Sequence, residues 1–360
     1  MNDTQSSSGP WADLVGHARP LEMLRQCVAR DRLGQTYAFV GPPGIGKKLF
    51  ALRLAQCLLC EQHQEADLDA CGTCPGCRQV LARTHPDLFV VELPPGKSEL
   101  AIELFVGDDA HRGKAGLCHD LSLAPMAGGR KVAIIDDADL FNDASGNALL
   151  KTLEEPPAHA LLILIASSPD LLLPTIRSRC QIVSFAPLAE SDVRRLLVTT
   201  GLVERDDEAA QVAHLADGSL ETARQLLDPH LRKQRQTLYN LLVTEPFPAV
   251  PLALAMIEGL DSSGTEKSSQ RAVAGWIVRF AIEFYRRVLW RLSQDEATTD
   301  DIPQIARITG RYPHGSAAAI DLTAALIDRC VAADRQLDSN VTIPLCLESL
   351  FDDLGRLQRS

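Results

Sequence analysis

Apolar residues along the chain fall either into short solid runs or at helical spacing, and the order of the two lays out most of the N-terminal half. Leu14, Leu21, Leu24, Val28 and Leu33 lie near a 3.6-residue period and predict a leading helix across residues 11–35. Thr36 to Val40 predicts a strand, and after a glycine-rich segment Leu49, Phe50, Leu52, Leu54 and Ala55 resume a helical pattern. Further strands are expected at Leu88 to Leu93, Val132 to Ile135, Leu161 to Ile165 and Ile182 to Phe185. The helix through Asn147 is stopped by Pro156-Pro157, whereas residues 97–116 are charged, weakly periodic and give no assignment. Beyond Pro187 a small helical unit runs from about Ser191 to Leu227, and from Leu231 onward the pattern is helical throughout. There Trp276, Ile277, Phe280, Phe284 and Val288 share one amphipathic face, and Pro246–Pro251 and Ser262–Gly264 read as loops. These elements predict an α/β parallel-sheet module with flanking helices over residues 1–187, a small helical domain over 188–230 and an all-α domain over 231–360.

The glycine-rich segment is Gly41-Pro42-Pro43-Gly44-Ile45-Gly46-Lys47-Lys48, which fits G-x-x-x-x-G-K-[ST] everywhere but at its last position. A strand, a glycine loop and a helix form the setting of a P-loop, in which backbone N–H groups and a lysine hold phosphates. The eighth position should offer a hydroxyl to Mg²⁺, but Lys48 brings a cation and no oxygen ligand. Val132 to Ile135 ends in Asp136-Asp137-Ala138-Asp139, where Asp136 and Asp137 occupy the place of a metal-holding Walker B pair. The second carboxylate of that pair is normally Glu, one methylene longer than Asp137.

Ten cysteines change the picture again. Cys71, Cys74 and Cys77 are spaced C-x₂-C-x₂-C within a loop over residues 57–80, and Cys60 can supply a fourth thiolate for a tetrahedral, structural Zn²⁺. Cys57 makes a C-x₂-C pair with Cys60 and competes with it as first ligand. Cys27, Cys118, Cys180, Cys330 and Cys346 read as small buried residues.

Of the 360 residues 46% are hydrophobic and 23% charged, as in an ordinary globular protein long enough for two or three domains. A net charge of −11 argues against a chain that binds nucleic acid unaided. Met1 to Pro10 has no apolar core of a signal peptide, and the longest purely apolar run, Ala160 to Ala166, is far short of a membrane span. A cytoplasmic location is expected.

In order, GPPGIGKK, the four-cysteine loop, THPD, DDAD, NALLKTLEEPP and Ser178-Arg179-Cys180 resemble the bacterial clamp-loader subunits of the AAA+ family, most closely the delta prime branch of the DNA polymerase III loader. The likeness is strongest over residues 11–187, and Leu337 to Leu350 is its best stretch among the C-terminal helices. It implies an AAA+ module, a helical lid and a helical collar for oligomerisation. It further implies a hetero-pentameric ring with gamma/tau and delta subunits that loads the sliding clamp onto primed DNA during replication. In that family delta prime is the stationary member, not an enzyme by itself. The likeness carries the nucleotide loop onto Gly41, Gly44, Gly46 and Lys47, the Walker B place onto Asp136 and Asp137, and the zinc ligands onto Cys60, Cys71, Cys74 and Cys77. It carries the arginine-finger motif, which reaches a neighbour's ATP, onto Ser178, Arg179 and Cys180. Lys48 departs from the hydrolysing subunits, and so does Glu221, which falls where they carry a lid arginine. Both departures point to a degenerate ATP/Mg²⁺ site; the alternative is a hydrolysing gamma/tau-type subunit that tolerates Lys48.

Overall fold

The computed structural model describes residues 9–127, 129–261, 267–293, 302–313, 315–338 and 341–359. The loop expected at Ser262–Gly264 lies outside them. The chain divides into two compact units, residues 1–224 and 225–360.

The first unit is built on five parallel strands: β1 (Thr36–Val40), β2 (Leu88–Val91), β3 (Lys131–Ile135), β4 (Ala160–Ala166) and β5 (Gln181–Ser184), in the order β2-β3-β4-β1-β5. The register places Ala38 beside Leu164 and Ala133 beside Leu162. β4 is buried along its whole length, which is why it reads as an unbroken apolar run rather than an alternating one. Alternation does show in β1. Ala38 and Val40 join one core with Leu162, Leu164, Leu149 and Phe105, while Tyr37 and Phe39 face an aromatic cluster with Phe50 and Phe185 on the other side.

Helices α1 (Ala18–Ala29), α2 (Lys47–Leu58), α3 (Pro75–Leu81), α4 (Glu103–Val106), α5 (Leu117–Ser122), α6 (Asp143–Glu154) and α7 (Pro174–Arg177) punctuate the strands. After β5 come α8 (Glu190–Thr199), α9 (Asp206–Leu215) and α10 (Leu220–Leu227). The leading helix is shorter than its periodicity suggests, and Leu14 and Leu33 lie outside it. Its ends are set by backbone: Gly16 at φ 81° precedes it and Asp31 at φ 53° follows, left-handed conformations that no helix continues through. Within the unassigned stretch 97–116, Leu100 bridges to Phe141 and both Leu100 and Phe105 are fully buried. Single apolar residues anchored to distant partners leave no periodic trace. The THPD segment is structural: buried Asp87 accepts N–H bonds from Met126 and Ala127, each 2.8 Å, and so ties down the approach to β3.

The second unit is helical: α11 (Pro229–Leu242), α12 (Ala249–Asp261), α13 (Lys267–Ser293), α14 (Pro303–Thr309), α15 (Ala317–Asp338) and α16 (Ile343–Leu357). α13 packs along α15 and α12 along α16. Ile277, Phe280, Phe284 and Val288 are buried, whereas Trp276 is half-buried beneath the Arg279 guanidinium. The loop expected at Pro246–Pro251 ends sooner, because Pro251 is the third residue of α12. A proline is tolerated in a first turn, whose N–H groups have no partner inside the helix.

Candidate nucleotide loop, cysteine cluster and arginine edge

In the order β3-β4-β1, the segments that follow these three strands are neighbours, so the glycine loop, Ser167 and Asp136 converge at one end of the sheet. The loop needs glycine where its backbone turns left-handed, as at Gly46 (φ 101°), the residue that caps α2. At Gly44 the constraint is close approach. A Cβ there would lie 2.3 Å from Glu221 Cβ and 2.4 Å from Ser219 Oγ. The start of α10 thus rests directly on the loop, and Leu220 N–H donates to Gly44 O at 3.0 Å.

Lys47 is 6% exposed, and its ammonium donates to the loop's own carbonyl oxygens, Gly41 and, at 2.6 Å, Pro42. Burial holds this amine below the ordinary lysine value, against the pull of Asp139, Asp136, Glu221 and Asp137. Lys48 turns toward the carboxylates. Its Nζ lies 2.8 Å from Asp136 and 3.0 Å from Glu92, and Glu92 also pairs with Arg83 at 2.7 Å. Burial works against this charge, but hydrogen bonds to Asp136 and Glu92 outweigh it and raise the amine above the ordinary value. Asp137 has a left-handed backbone (φ 54°), and its carboxyl is raised by burial and by the neighbouring Asp136 charge. Asp139 is tied to the end of β4, accepting from Ser167 N–H at 2.7 Å and from Ser167 Oγ.

Glu92 and Ser167 were not among the residues singled out from sequence. Glu92 directly follows the β2 run, and its role becomes visible only once β2 is known to lie beside β3. Next to the loop, a mostly apolar cleft of about 560 Å³ is lined by Leu14, His17, Ile45, Leu188, Leu196 and Leu220. His17 is 2% exposed, bonds Ile45 O through Nε2 at 2.6 Å, and leaves Nδ1 buried without a partner. Burial lowers its pKa from the ordinary value.

The cysteine loop leaves the C-terminal end of α2. Cys60, Cys71, Cys74 and Cys77 bring their sulfurs within 4.8 Å of one another. The Sγ–Sγ distances include 3.8 Å for Cys60–Cys71, 4.0 Å for Cys60–Cys74 and 3.9 Å for Cys71–Cys77. A tetrahedron with metal–sulfur bonds of about 2.3 Å has edges of about 3.8 Å, so the four thiols fit one tetrahedral metal ion. Pro75 opens α3, and Cys74 caps it by accepting Cys77 N–H at 3.3 Å, which turns two sulfurs inward together. Cys57 stands apart from this set. It lies inside α2, 1% exposed, and its sulfur is not part of the group of four. Cys330 and Cys346 are buried as read from sequence, whereas Cys27, Cys118 and Cys180 are only half-buried.

Ser178-Arg179-Cys180 sits between α7 and β5, at the opposite end of the strands from the glycine loop. Thr36, the first residue of β1, donates through Oγ1 to Arg179 O at 2.8 Å, so the length of β1, about 13 Å, separates this arginine from its own loop. Its guanidinium bonds Glu154 through Nε at 2.9 Å and through Nη2, and Nη1 donates to Thr175 O at 2.8 Å and Ser178 Oγ at 3.2 Å. Arg177 pairs with Asp170 at 2.8 Å. The structure therefore gathers Gly41, Gly44, Gly46, Lys47, Lys48, Asp136 and Asp137 at one end of the sheet and places Ser178 and Arg179 at the other.

A parallel sheet with a glycine loop after β1, carboxylates after β3 and helices after β5 defines a P-loop module of the AAA+ class. The family model described as "DNA polymerase III, delta subunit" matches residues 16–189. DNA polymerase III subunit delta' of Pseudomonas aeruginosa is 35% identical over 232 residues, 63% of this chain and 67% of that protein. The chain belongs to the bacterial DNA polymerase III delta prime family. It is also similar to DNA polymerase III subunit tau of Salmonella typhimurium, 32% identical over 222 residues, 61% of this chain and 32% of that protein. A solved structure of a gamma subunit-related protein from Thermotoga maritima aligns with 94% of this chain and 100% of its own at 15% identity and a TM-score of 0.39, too weak a likeness to carry an assignment. Among the described residues no helix is long and apolar enough to cross a membrane.

Proposed function

We propose that the chain is a non-hydrolysing subunit of a DNA polymerase III clamp loader that lends Arg179 to the ATP of an adjacent subunit. Lys48 carries this reading. Its ammonium pairs with Asp136 and Glu92 where an active P-loop protein would place Mg²⁺, so the metal-side carboxylate is already neutralised from within. Lys47 is turned onto the loop's own carbonyl oxygens, and Glu221 brings negative charge where a phosphate would need a cation. Phosphoryl transfer rests on metal and positioned cations, and both are compromised here.

Arg179 supports the trans reading by its place at the far end of β1 from its own loop. A planar guanidinium suits a neighbour's phosphate, because its fork can bridge two oxygens and stays charged at any working pH. In this reading residues 1–187 form the AAA+ module, 188–230 its lid and 231–360 a collar within a hetero-pentameric ring with gamma/tau and delta. The sliding clamp and primed DNA are reached through that complex. Cys60, Cys71, Cys74 and Cys77 hold one structural Zn²⁺, which the sulfur spacing supports.

The test compares ATP turnover by the purified chain with turnover after mixing it with gamma/tau and delta subunits. A stable assembly and a silent isolated chain are expected. Turnover near 1 s⁻¹ by the chain alone, about the low end for kinases, would establish the hydrolysing gamma/tau-type alternative instead.

A further inference from the structure

The segment NALLKTLEEPP ends α6 on two carboxylates, Glu154 and Glu155, before the prolines stop the helix. A helix C-terminus carries partial negative charge and favours a cation, so acidic residues there are poorly explained by helix stability. Glu154, the last residue of α6, receives both Nε–H and Nη2–H of Arg179. The two remaining contacts, to Thr175 O and Ser178 Oγ, occupy Nη1. A guanidinium has five N–H groups. Four of them are spent inside this chain, which leaves too few to grip a phosphate by its fork.

We propose that Glu154 is a positioning residue that holds Arg179 in a parked state, and that engagement of a neighbouring subunit's ATP exchanges the Glu154 carboxylate for phosphate oxygens. This rests on the trans role of Arg179 proposed above and adds to it a reason for the acidic end of α6. The pair is partly open to water, with the Arg179 side chain 33% and that of Glu154 49% exposed, so a more highly charged phosphate can displace the carboxylate. Thr36 holds the Arg179 backbone to β1, so the exchange is a side-chain movement about a fixed point. Parking would keep the ring from hydrolysing ATP before its subunits are brought into register.

The experiment uses the reconstituted loader and the Arg179-dependent part of ATP turnover, taken as wild type minus Arg179→Ala, with and without clamp and primed DNA. Glu154→Gln keeps the shape and removes the charge. It is expected to raise unstimulated turnover by about two- to fivefold, equivalent to about 0.4–1 kcal/mol, in kcat with KM for ATP unmoved. Stimulated turnover stays level, so the stimulation ratio falls. Glu154→Asp, which keeps the charge, stays close to wild type, and in an Arg179→Ala background Glu154→Gln has no effect. A Glu154→Gln loader that is slower in both states, or whose change persists without Arg179, overturns the parking role while leaving the finger intact. If Arg179→Ala alone matches wild type, the finger and the parking role fall together.

Discussion

Replacing Lys48 with Thr supplies the hydroxyl that a working P-loop has, and on the reading proposed above stability is expected to fall while hydrolysis does not appear. The Lys48–Asp136 bond at 2.8 Å joins side chains 31% and 18% exposed, and as a partly exposed ion pair it contributes about 1 kcal/mol. The Lys48–Glu92 pair is more open, with Glu92 40% exposed and shared with Arg83, and is worth about 0–0.5 kcal/mol. Removing the ammonium also leaves Asp136 and Asp137 facing one another with less compensation. A loss of about 1–1.5 kcal/mol follows, and at about 2–4 °C per kcal/mol for a unit of this size the melting point of the first unit drops by about 2–6 °C. Trp11, 5.1 Å from Phe50, reports on that unit once Trp276 and Trp290 are replaced by Phe. Measured in magnesium-free buffer, Lys48→Thr should melt earlier than its parent. Added Mg²⁺ should recover part of the loss in the variant and none in the parent, since only the variant offers a hydroxyl beside Asp136. ATP turnover stays absent, because Asp137 and Glu221 remain. An unchanged melting point in Lys48→Thr would refute the compensating role of Lys48, and turnover near 1 s⁻¹ would refute the rest.

Metal analysis of protein purified without chelator should give about one zinc per chain; Cys60→Ala should lose it and Cys57→Ala keep it, with hydrogen exchange over residues 57–80 rising as zinc leaves. In a loader checked for intact assembly, Arg179→Ala should cut clamp- and DNA-stimulated ATPase and clamp loading, by less than the ~10³–10⁵ a finger supplies at one site because several sites share the turnover, while Arg177→Ala stays near wild type. The His17 pKa is lowered from 6.5, so below that value the folded state binds fewer protons than the unfolded chain; stability is kept above it and lost as pH falls through the folded value. The melting point should therefore drop between about pH 7 and about pH 5.5 more steeply in wild type than in His17→Asn, and parallel slopes would remove His17 from the account.

What could be read along the chain was what local chemistry writes locally. β4 is buried on both faces and so appears as an apolar run; the glycine loop and the cysteine loop declare themselves by spacing, because phosphate and metal sites demand backbone turns at fixed intervals. Leu100 and Phe105 were silent for the opposite reason, since each is fixed by a partner far along the chain, Phe141; THPD stood out as a motif, but the bonds Asp87 accepts from the Met126–Ala127 backbone could not be read from it.

The same distinction changes the meaning of the two departures at the nucleotide loop. Read singly, Lys48 and Glu221 are losses, a missing hydroxyl and a missing arginine. In space they belong to one charge arrangement. Lys48 answers Asp136 and Glu92, while Glu221 sits against Gly44 and draws on the field of Lys47. A loop that had merely decayed would be expected to leave buried charges uncompensated, at a cost of several kcal/mol per ion. Here Lys48 is paired with both Asp136 and Glu92, and Leu220 N–H fastens the start of α10 to Gly44 O. On the reading proposed above, this pairing fills the loop from within, and the stability of the module is expected not to depend on nucleotide. ATP at millimolar concentration raising the wild-type melting point by several degrees would contradict this, because it would mean that the phosphate site is open after all.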